Sequence, residues 1–208
     1  MGLENVKKVA DADFPSRWGA FRIMGFRATT AEGKEEELVA LVMGEVHAAP
    51  PLVRIHSQCL TGDVFGSLRC DCRPQLELAL DKISKAGAGI LLYERKEGRG
   101  IGLMAKLEAY ELQDHGLDTV EANVKLGFAP DCRDYAMPAA VLKLLGVTAV
   151  KLITNNPEKM EALEAAGVKV VERVSAEVKP LKTFAKYVRT KREKMRHIAD
   201  NAEDAKPE

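Results

Sequence analysis

The stretch VKLITNNPEKMEALEAAGVKVV, residues 150–171, decides the fold. Residues 150–154 form a short, mostly apolar run bounded by turn residues, which reads as a buried strand. Asn156 is placed to cap a helix that begins at Pro157, where a fixed φ and a missing N–H cost nothing. Gly167 ends that helix before a second strand over 168–171. Strand, helix and strand make a βαβ unit, whose strands pair in parallel because the helix carries the chain back.

Upstream the same logic recurs. Residues 74–86 place Leu76, Leu80 and Ile83 at helical spacing, with Pro74 in the first turn and Gly87 just past the end. A buried strand follows over 90–93, then the charged, glycine-rich loop Glu97-Gly98-Arg99-Gly100-Ile101-Gly102, then a helix over 103–115 stopped by Gly116. From about residue 88 to 174 parallel pairing is expected. The first fifty residues read as strands and turns, with 21–26 and 37–42 as candidate strands, so the sheet should be mixed. The expected class is α/β: a single layered domain over residues 1–180 with a mixed, partly parallel sheet flanked by helices. Residues 181–208 read as an appendage, a basic helix over 182–197 with a wet face and a solvated tail over 201–208.

The chain has 208 residues, 46% apolar and 30% charged, enough for one well-buried core and too few for a multidomain machine. Lys plus Arg and Asp plus Glu both number 31, which excludes binding of nucleic acid or membrane surfaces through bulk positive charge. An anionic ligand must be met locally. No stretch reaches the roughly 18–20 apolar residues of a membrane span, since even 136–153 is broken by Lys143, Gly146 and Lys151. Residues 1–14 carry Glu4, Asp11 and Asp13 and no apolar core of a secretory signal, and Val6 spoils a myristoylation motif. The expected location is cytoplasmic, where Cys59, Cys70, Cys72 and Cys132 stay reduced.

Cys59, Cys70 and Cys72 form C-x10-C-x-C, near His56, Asp63 and Asp71. Cysteines two apart diverge on a helix, so Cys70 and Cys72 can converge only on extended or turned backbone. Three such thiolates suit zinc, with the fourth position closed by His56 as a structural site or left to water as a catalytic one. The competing reading makes them small buried apolar residues. A water on such a zinc would lose its proton near neutral pH and could attack an electrophilic carbon. Neither H-E-x-x-H nor H-x-E with P-C-x-x-C is present, which removes metalloprotease and nucleoside-deaminase readings.

Arg54, Arg69, Arg95, Lys96, Arg99, Arg133 and Lys159 fall near strand ends and loops, where α/β folds bind ligands. Each alone is an ordinary surface charge. The glycine loop matches neither G-x-G-x-x-G nor a P-loop, so dinucleotide and P-loop readings fail. In Asp131-Cys132-Arg133-Asp134-Tyr135, carboxylates bracket an Arg that is either part of a turn and N-cap or fixed for bidentate phosphate binding. Tyr110 is a core or rim aromatic unless it faces the site, and Cys132 reads as a free thiol.

Taken together, Val53 to Asp63, Ser67 to Cys72, Glu97 to Leu103, Asp131 to Tyr135 and Thr154 to Pro157 closely resemble the GTP cyclohydrolase II family, over about residues 14–174. The resemblance implies zinc on Cys59, Cys70 and Cys72, and GTP opened at C8 of its imidazole ring with release of formate and pyrophosphate, the first step of riboflavin biosynthesis. It further implies a GTP site lined by Arg54, Ile55, His56, Ser57, Gln58, Gln75, Glu97, Gly98, Arg99, Thr119, Thr154 and Lys159. Asp131 would be the proton acceptor, Arg133 the nucleophile on the α-phosphorus, and Tyr110 would lie near the purine. Magnesium on the triphosphate and a homodimer are implied too, and no sugar-phosphate synthase domain precedes the match, as in a monofunctional form. A guanidinium is a poor nucleophile, so electrostatic stabilisation is an alternative role for Arg133. Three positions depart from the family pattern: Gln58 for the usual Glu, Arg73-Pro74 where Gly commonly follows the last cysteine, and Lys96 for the usual Gln. Two rivals remain: a GTP hydrolase that stops at the ring-opened formamide, and a non-catalytic nucleotide-binding module with structural zinc.

Overall fold

The computed structural model describes residues 3–179 and 181–200; the tail read over 201–208 lies outside the described residues. Strands β4 (Leu52–Ser57), β5 (Gly89–Glu94), β6 (Ala149–Ile153) and β7 (Lys169–Val174) run parallel. Strands β1 (Leu3–Ser16), β2 (Gly19–Thr30) and β3 (Glu35–Met43) form an antiparallel meander that joins the parallel part where β3 pairs with β5. The result is one mixed, seven-stranded sheet in the order β1-β2-β3-β5-β4-β6-β7. The windows 21–26 and 37–42 fall inside β2 and β3. Strand β1 carries no comparable sequence signal, because most of it is exposed and its apolar residues packed on the core, Leu3, Val6 and Phe14, are too widely spaced to form a periodic stripe.

Alternation along the central strands divides the core. Ile90 and Leu92 of β5, with Val53 and Ile55 of β4, pack on one face against Met137, Val141 and Leu142 of α4 (Ala136–Leu144) and Leu163 of α5 (Pro157–Ala165). Leu91 and Ile153 pack on the other face against Ala79, Leu80 and Ile83 of α1 (Cys72–Ala86). Covered on both faces, these strands have no polar side to show, hence their continuous apolar runs. Each large aliphatic side chain so buried contributes about 1.5–3 kcal/mol.

The helix ends follow from local chemistry. The Asn156 side chain accepts from the Glu158 N–H, with Pro157 in the first turn, and Gly87 closes α1 in the left-handed region at φ 72°. Helix α2 (Leu103–Asp114) follows the glycine loop, α3 (Thr119–Lys125) starts with a capping box between Asp118 and Glu121, and α6 (Ala185–Lys194) lies in the predicted basic segment. No helix among the described residues is long and apolar enough to cross a membrane.

The topology points to the site. From β4 the chain turns through α1 to β5 on one side, whereas from β6 it turns through α5 to β7 on the other. Adjacent strands whose connections leave in opposite directions open a crevice at their carboxyl ends. Here that crevice lies between Ser57 and Thr154.

Candidate active site

The end of β4 supplies one wall of the crevice. Arg54 is buried; its Nη1 donates to the Ile153 carbonyl at 3.0 Å and its Nη2 to Gln75 Oε1 at 2.6 Å, and Gln75 in turn donates to Asp71 at 2.6 Å. Ile55 is wholly buried in the core, so only its carbonyl reaches the site, where it accepts from Lys159 Nζ at 2.8 Å. His56 Nε2 lies 3.1 Å from Asp63 Oδ2, and its ring stacks on Tyr93 at 5.5 Å. Asp63 also accepts from the Tyr93 hydroxyl at 2.9 Å and the Cys59 N–H at 3.1 Å, which fixes the start of the cysteine loop. His56 is thus engaged by a carboxylate and lies outside the cysteine cluster.

The three thiols converge although their backbones differ. Cys59 caps a turn over Leu60–Val64 and accepts from the Gly62 N–H at 3.3 Å, while Cys70 precedes and Cys72 begins α1. All three Sγ atoms lie within 4.8 Å of one another, and Cys59 and Cys70 are 3.7 Å apart. A tetrahedral Zn–S bond of about 2.3 Å gives an S···S edge of about 3.8 Å, so the thiols fit zinc. Gly62 makes the cradle: a Cβ there would stand 2.9 Å from Cys70 Sγ and 3.0 Å from Cys59 Sγ. Hydrogen bonds from Cys70 and Cys72, then Lys106, pull the pKa of the Cys59 thiol down, while Cys59 and burial push those of Cys70 and Cys72 up. Cys132 is exposed and free.

The glycine loop braces this cluster. Glu97 is buried; one oxygen accepts from the Leu60 N–H at 2.7 Å and the other from Lys106 Nζ at 2.7 Å. Lys106 also donates to Cys59 Sγ at 3.2 Å and Thr61 at 2.9 Å. Gly98 and Arg99 both take φ of 60°, a conformation natural to glycine and strained for arginine. The strained turn aims Arg99 into the crevice, where Nη2 donates to Thr119 at 3.2 Å and Nη1 is buried without a partner among the described residues. Tyr110, one helical turn after Lys106, shares a 3.0 Å hydrogen bond with Thr61 and so faces the thiols.

Arg133 sits at the junction of two lobes. Asp131 grips its guanidinium at 2.9 Å through Nε and 2.5 Å through Nη2, and Nη1 donates to Ser57 Oγ at 3.3 Å. Asp131 therefore stands behind Arg133. Burial would lower the Arg133 pKa, yet Tyr135, Asp131 and Glu94 push it upward, so the group stays cationic. Against burial, the same pair holds Asp131 below the usual carboxylate range. One lobe, about 650 Å³, is lined by the thiols, Gln58, Gly98, Tyr110, Thr119 and Asn123. The other, about 550 Å³, is lined by Arg54, Gln75, Thr154, Lys159, Lys191 and His197, and by no acidic residue among the described residues. Ser57, Cys72, Arg99, Arg133 and Tyr187 belong to both.

The basic C-terminal segment differs from its expected wet face, because Tyr187 and Lys191 turn inward to the crevice. Lys106, one turn before Tyr110 on α2, also escapes sequence reasoning; only its i,i+4 spacing to that tyrosine signals a shared face. Of the departures, Lys96 pairs with Glu36 at 2.8 Å and Asp134 at 3.0 Å, and Arg73 with Glu77 at 3.2 Å.

A family model described as GTP cyclohydrolase II matches residues 7–175. This chain belongs to the GTP cyclohydrolase II family. It is 51% identical over 199 residues to a GTP cyclohydrolase-2 of Aeromonas hydrophila, covering 94% of this chain and 98% of that protein. A GTP cyclohydrolase-2 of Escherichia fergusonii is 52% identical over 95% of this chain and 99% of its own length. The riboflavin biosynthesis protein RibBA of Aquifex aeolicus is 53% identical over 93% of this chain, which spans about half, 47%, of that longer protein. Among solved structures, RibBX, a two-domain 3,4-dihydroxy-2-butanone 4-phosphate synthase from A. baumannii, overlaps 83% of this chain and 40% of its own at 21% identity, with a TM-score of 0.44. GTP cyclohydrolase II is an enzyme family.

Proposed function

We propose that this member opens the imidazole ring of GTP at C8, releasing formate and pyrophosphate and leaving 2,5-diamino-6-(5-phosphoribosylamino)pyrimidin-4(3H)-one, the first step of riboflavin biosynthesis. The observation that carries this reading is the pair of joined lobes. Three thiols, Tyr110 and the cations Arg69, Lys96 and Lys106 line one, Arg54, Lys159 and Lys191 line the other with no acidic group among the described residues, and Arg99 and Arg133 belong to both, an arrangement that a purine joined to a triphosphate can span. Cys59, Cys70 and Cys72 would hold zinc, which when bound supplies activation of water near neutral pH for addition to an electrophilic carbon. Two waters are consumed at C8, one to open the ring and one to free formate; a third cleaves the α–β phosphoanhydride.

The chain's own residues bind and orient. Tyr110, Gln58 and Thr119 wall the purine lobe; Ser57, Arg99 and Arg54 with Gln75 border the phosphates, where magnesium would accompany the triphosphate. Lys159 and Thr154 close the far wall. The gripped, permanently cationic Arg133 acts by stabilising charge on the α-phosphoryl group rather than by attacking it, and Asp131 holds it in place. The family resemblance supports a cytoplasmic homodimer, with residues 1–180 as the catalytic domain.

Zinc-replete protein incubated with GTP and magnesium tests the proposal by mass spectrometry with formate and pyrophosphate assays. Release of both, with the diaminopyrimidinone, is the expected result. A retained formyl carbon would replace it with the truncated reaction, and intact GTP beside folded, zinc-loaded protein would replace it with the binding module.

A further inference from the structure

The C-terminal segment crosses the cationic lobe and is tied down on both sides. Lys191 of α6 donates to Asp71 at 2.7 Å, the Ile198 N–H donates to the Asn155 carbonyl at 2.8 Å, and Arg173 at the end of β7 pairs with Asp200. These ties set Lys191 and His197 in the wall of the lobe that Arg54 and Lys159 also line. His197 is the unusual member. Its Nε2 is buried with no hydrogen-bond partner among the described residues, in the field of Lys191, Lys159, Arg133 and Arg99. Burial, then those four cations, pushes its pKa down to about 2, so the ring is neutral and one of its nitrogens carries a proton to donate. A buried polar atom without a partner is costly, and an anion supplies what this one lacks.

We infer that the C-terminal segment is a strap that completes a binding site for the terminal phosphates of a polyphosphate chain, with Lys191 and His197 as its ligands. The inference rests on the two-lobe reading above and adds to it a wall contributed by the last described residues. Without the strap, the cations that line the lobe are Arg54, Arg99, Arg133 and Lys159. The strap adds one charge and one neutral donor, and it links the phosphate lobe through Asp71 to the loop between Cys70 and Cys72.

Inorganic tripolyphosphate is the probe, because it enters the cationic lobe without being opened at a ring. Titration calorimetry on the full, zinc-loaded chain should show tripolyphosphate affinity falling about tenfold or more in Lys191→Ala and in His197→Ala, the loss expected for a charge-assisted hydrogen bond. The GTP KM should rise with kcat little changed, and guanosine affinity should stay constant. Lys191→Arg and His197→Gln should restore most tripolyphosphate affinity. Unchanged tripolyphosphate affinity in both alanine variants would overturn the inference. So would a loss shared by the conservative variants and matched by a lower Tm, which would make the strap architectural. If tripolyphosphate behaves as expected while GTP is never opened, the strap stands and the cyclohydrolase reading falls.

Discussion

Ser57 Oγ donates a 2.6 Å hydrogen bond to Oε1 of Glu94, a carboxyl only 1% exposed. Ser57 in turn accepts from Arg133, so a buried acid sits one hydroxyl behind the junction of the lobes. Burial raises the Glu94 pKa against the pull of Lys159, Ser57 and Arg133, and its second oxygen has no partner among the described residues. An acid whose folded pKa is raised holds more protons folded than unfolded. Its penalty is absent in acid and grows as pH climbs through the folded pKa. Glu94→Gln keeps an acceptor for Ser57 and removes that penalty. The variant should therefore melt above the wild type at neutral pH, with the gap closing toward about pH 5, in paired thermal scans. A wild type that is the more stable at neutral pH would refute the assignment.

Gly62 has no room for a methyl group against Cys59 and Cys70. Gly62→Ala should weaken zinc binding by about 10–100-fold, as loss of a supporting contact does, while the sheet still forms. Competition with a chromogenic chelator measures the first and far-UV circular dichroism the second.

The cysteine cradle lies beyond the strand ends and shares no residue with the two apolar clusters that hold the helices to the sheet. Stripping the metal with a chelator should abolish formate release and leave far-UV ellipticity nearly unchanged, with activity restored by added zinc. A cooperative loss of ellipticity on chelation would instead make the metal structural.

Arg133→Lys keeps the charge but cannot fill both bonds to Asp131 and the bond to Ser57 together. Pyrophosphate release should fall by about 100- to 1000-fold, the scale of losing one preorganised donor, and remain above background. Complete loss in the lysine variant, with fold and zinc intact, would favour a covalent role for the guanidinium.

Gly89 starts β5 where a Cβ would meet the Leu52 carbonyl at 2.8 Å and Ile83 at 2.9 Å. Gly89→Ala should cost about 1–3 kcal/mol in urea unfolding, the range for overpacking a dense core.

The parallel half of the fold was legible because its strands are covered on both faces and its helices carry their own stops: Asn156 with Pro157, and Gly87. Strand β1 was not, since an exposed edge strand leaves no periodic apolar stripe to read. The cysteines announced themselves by spacing and chemistry. What spacing could not convey was which polar residues act through others. Ile55 contributes a carbonyl, Asp131 stands behind Arg133, and Glu97 braces the loop at Leu60 and Lys106. The inward turn of Tyr187 and Lys191 depends on where α6 lands, and a basic run carries no mark of its destination.

Strand β1 has a consequence for the behaviour of the molecule in concentrated solution. A long outer strand offers a ready row of peptide groups on which another chain could grow. Here two register shifts, one between Glu4 and Lys7 and one between Lys8 and Ala10, interrupt that row. Lys7, Lys8, Asp11 and Asp13 put charge along it, and Pro15 removes a donor near its end. The part of the fold least visible in the sequence is thus the part built to keep neighbouring molecules from stacking into fibres.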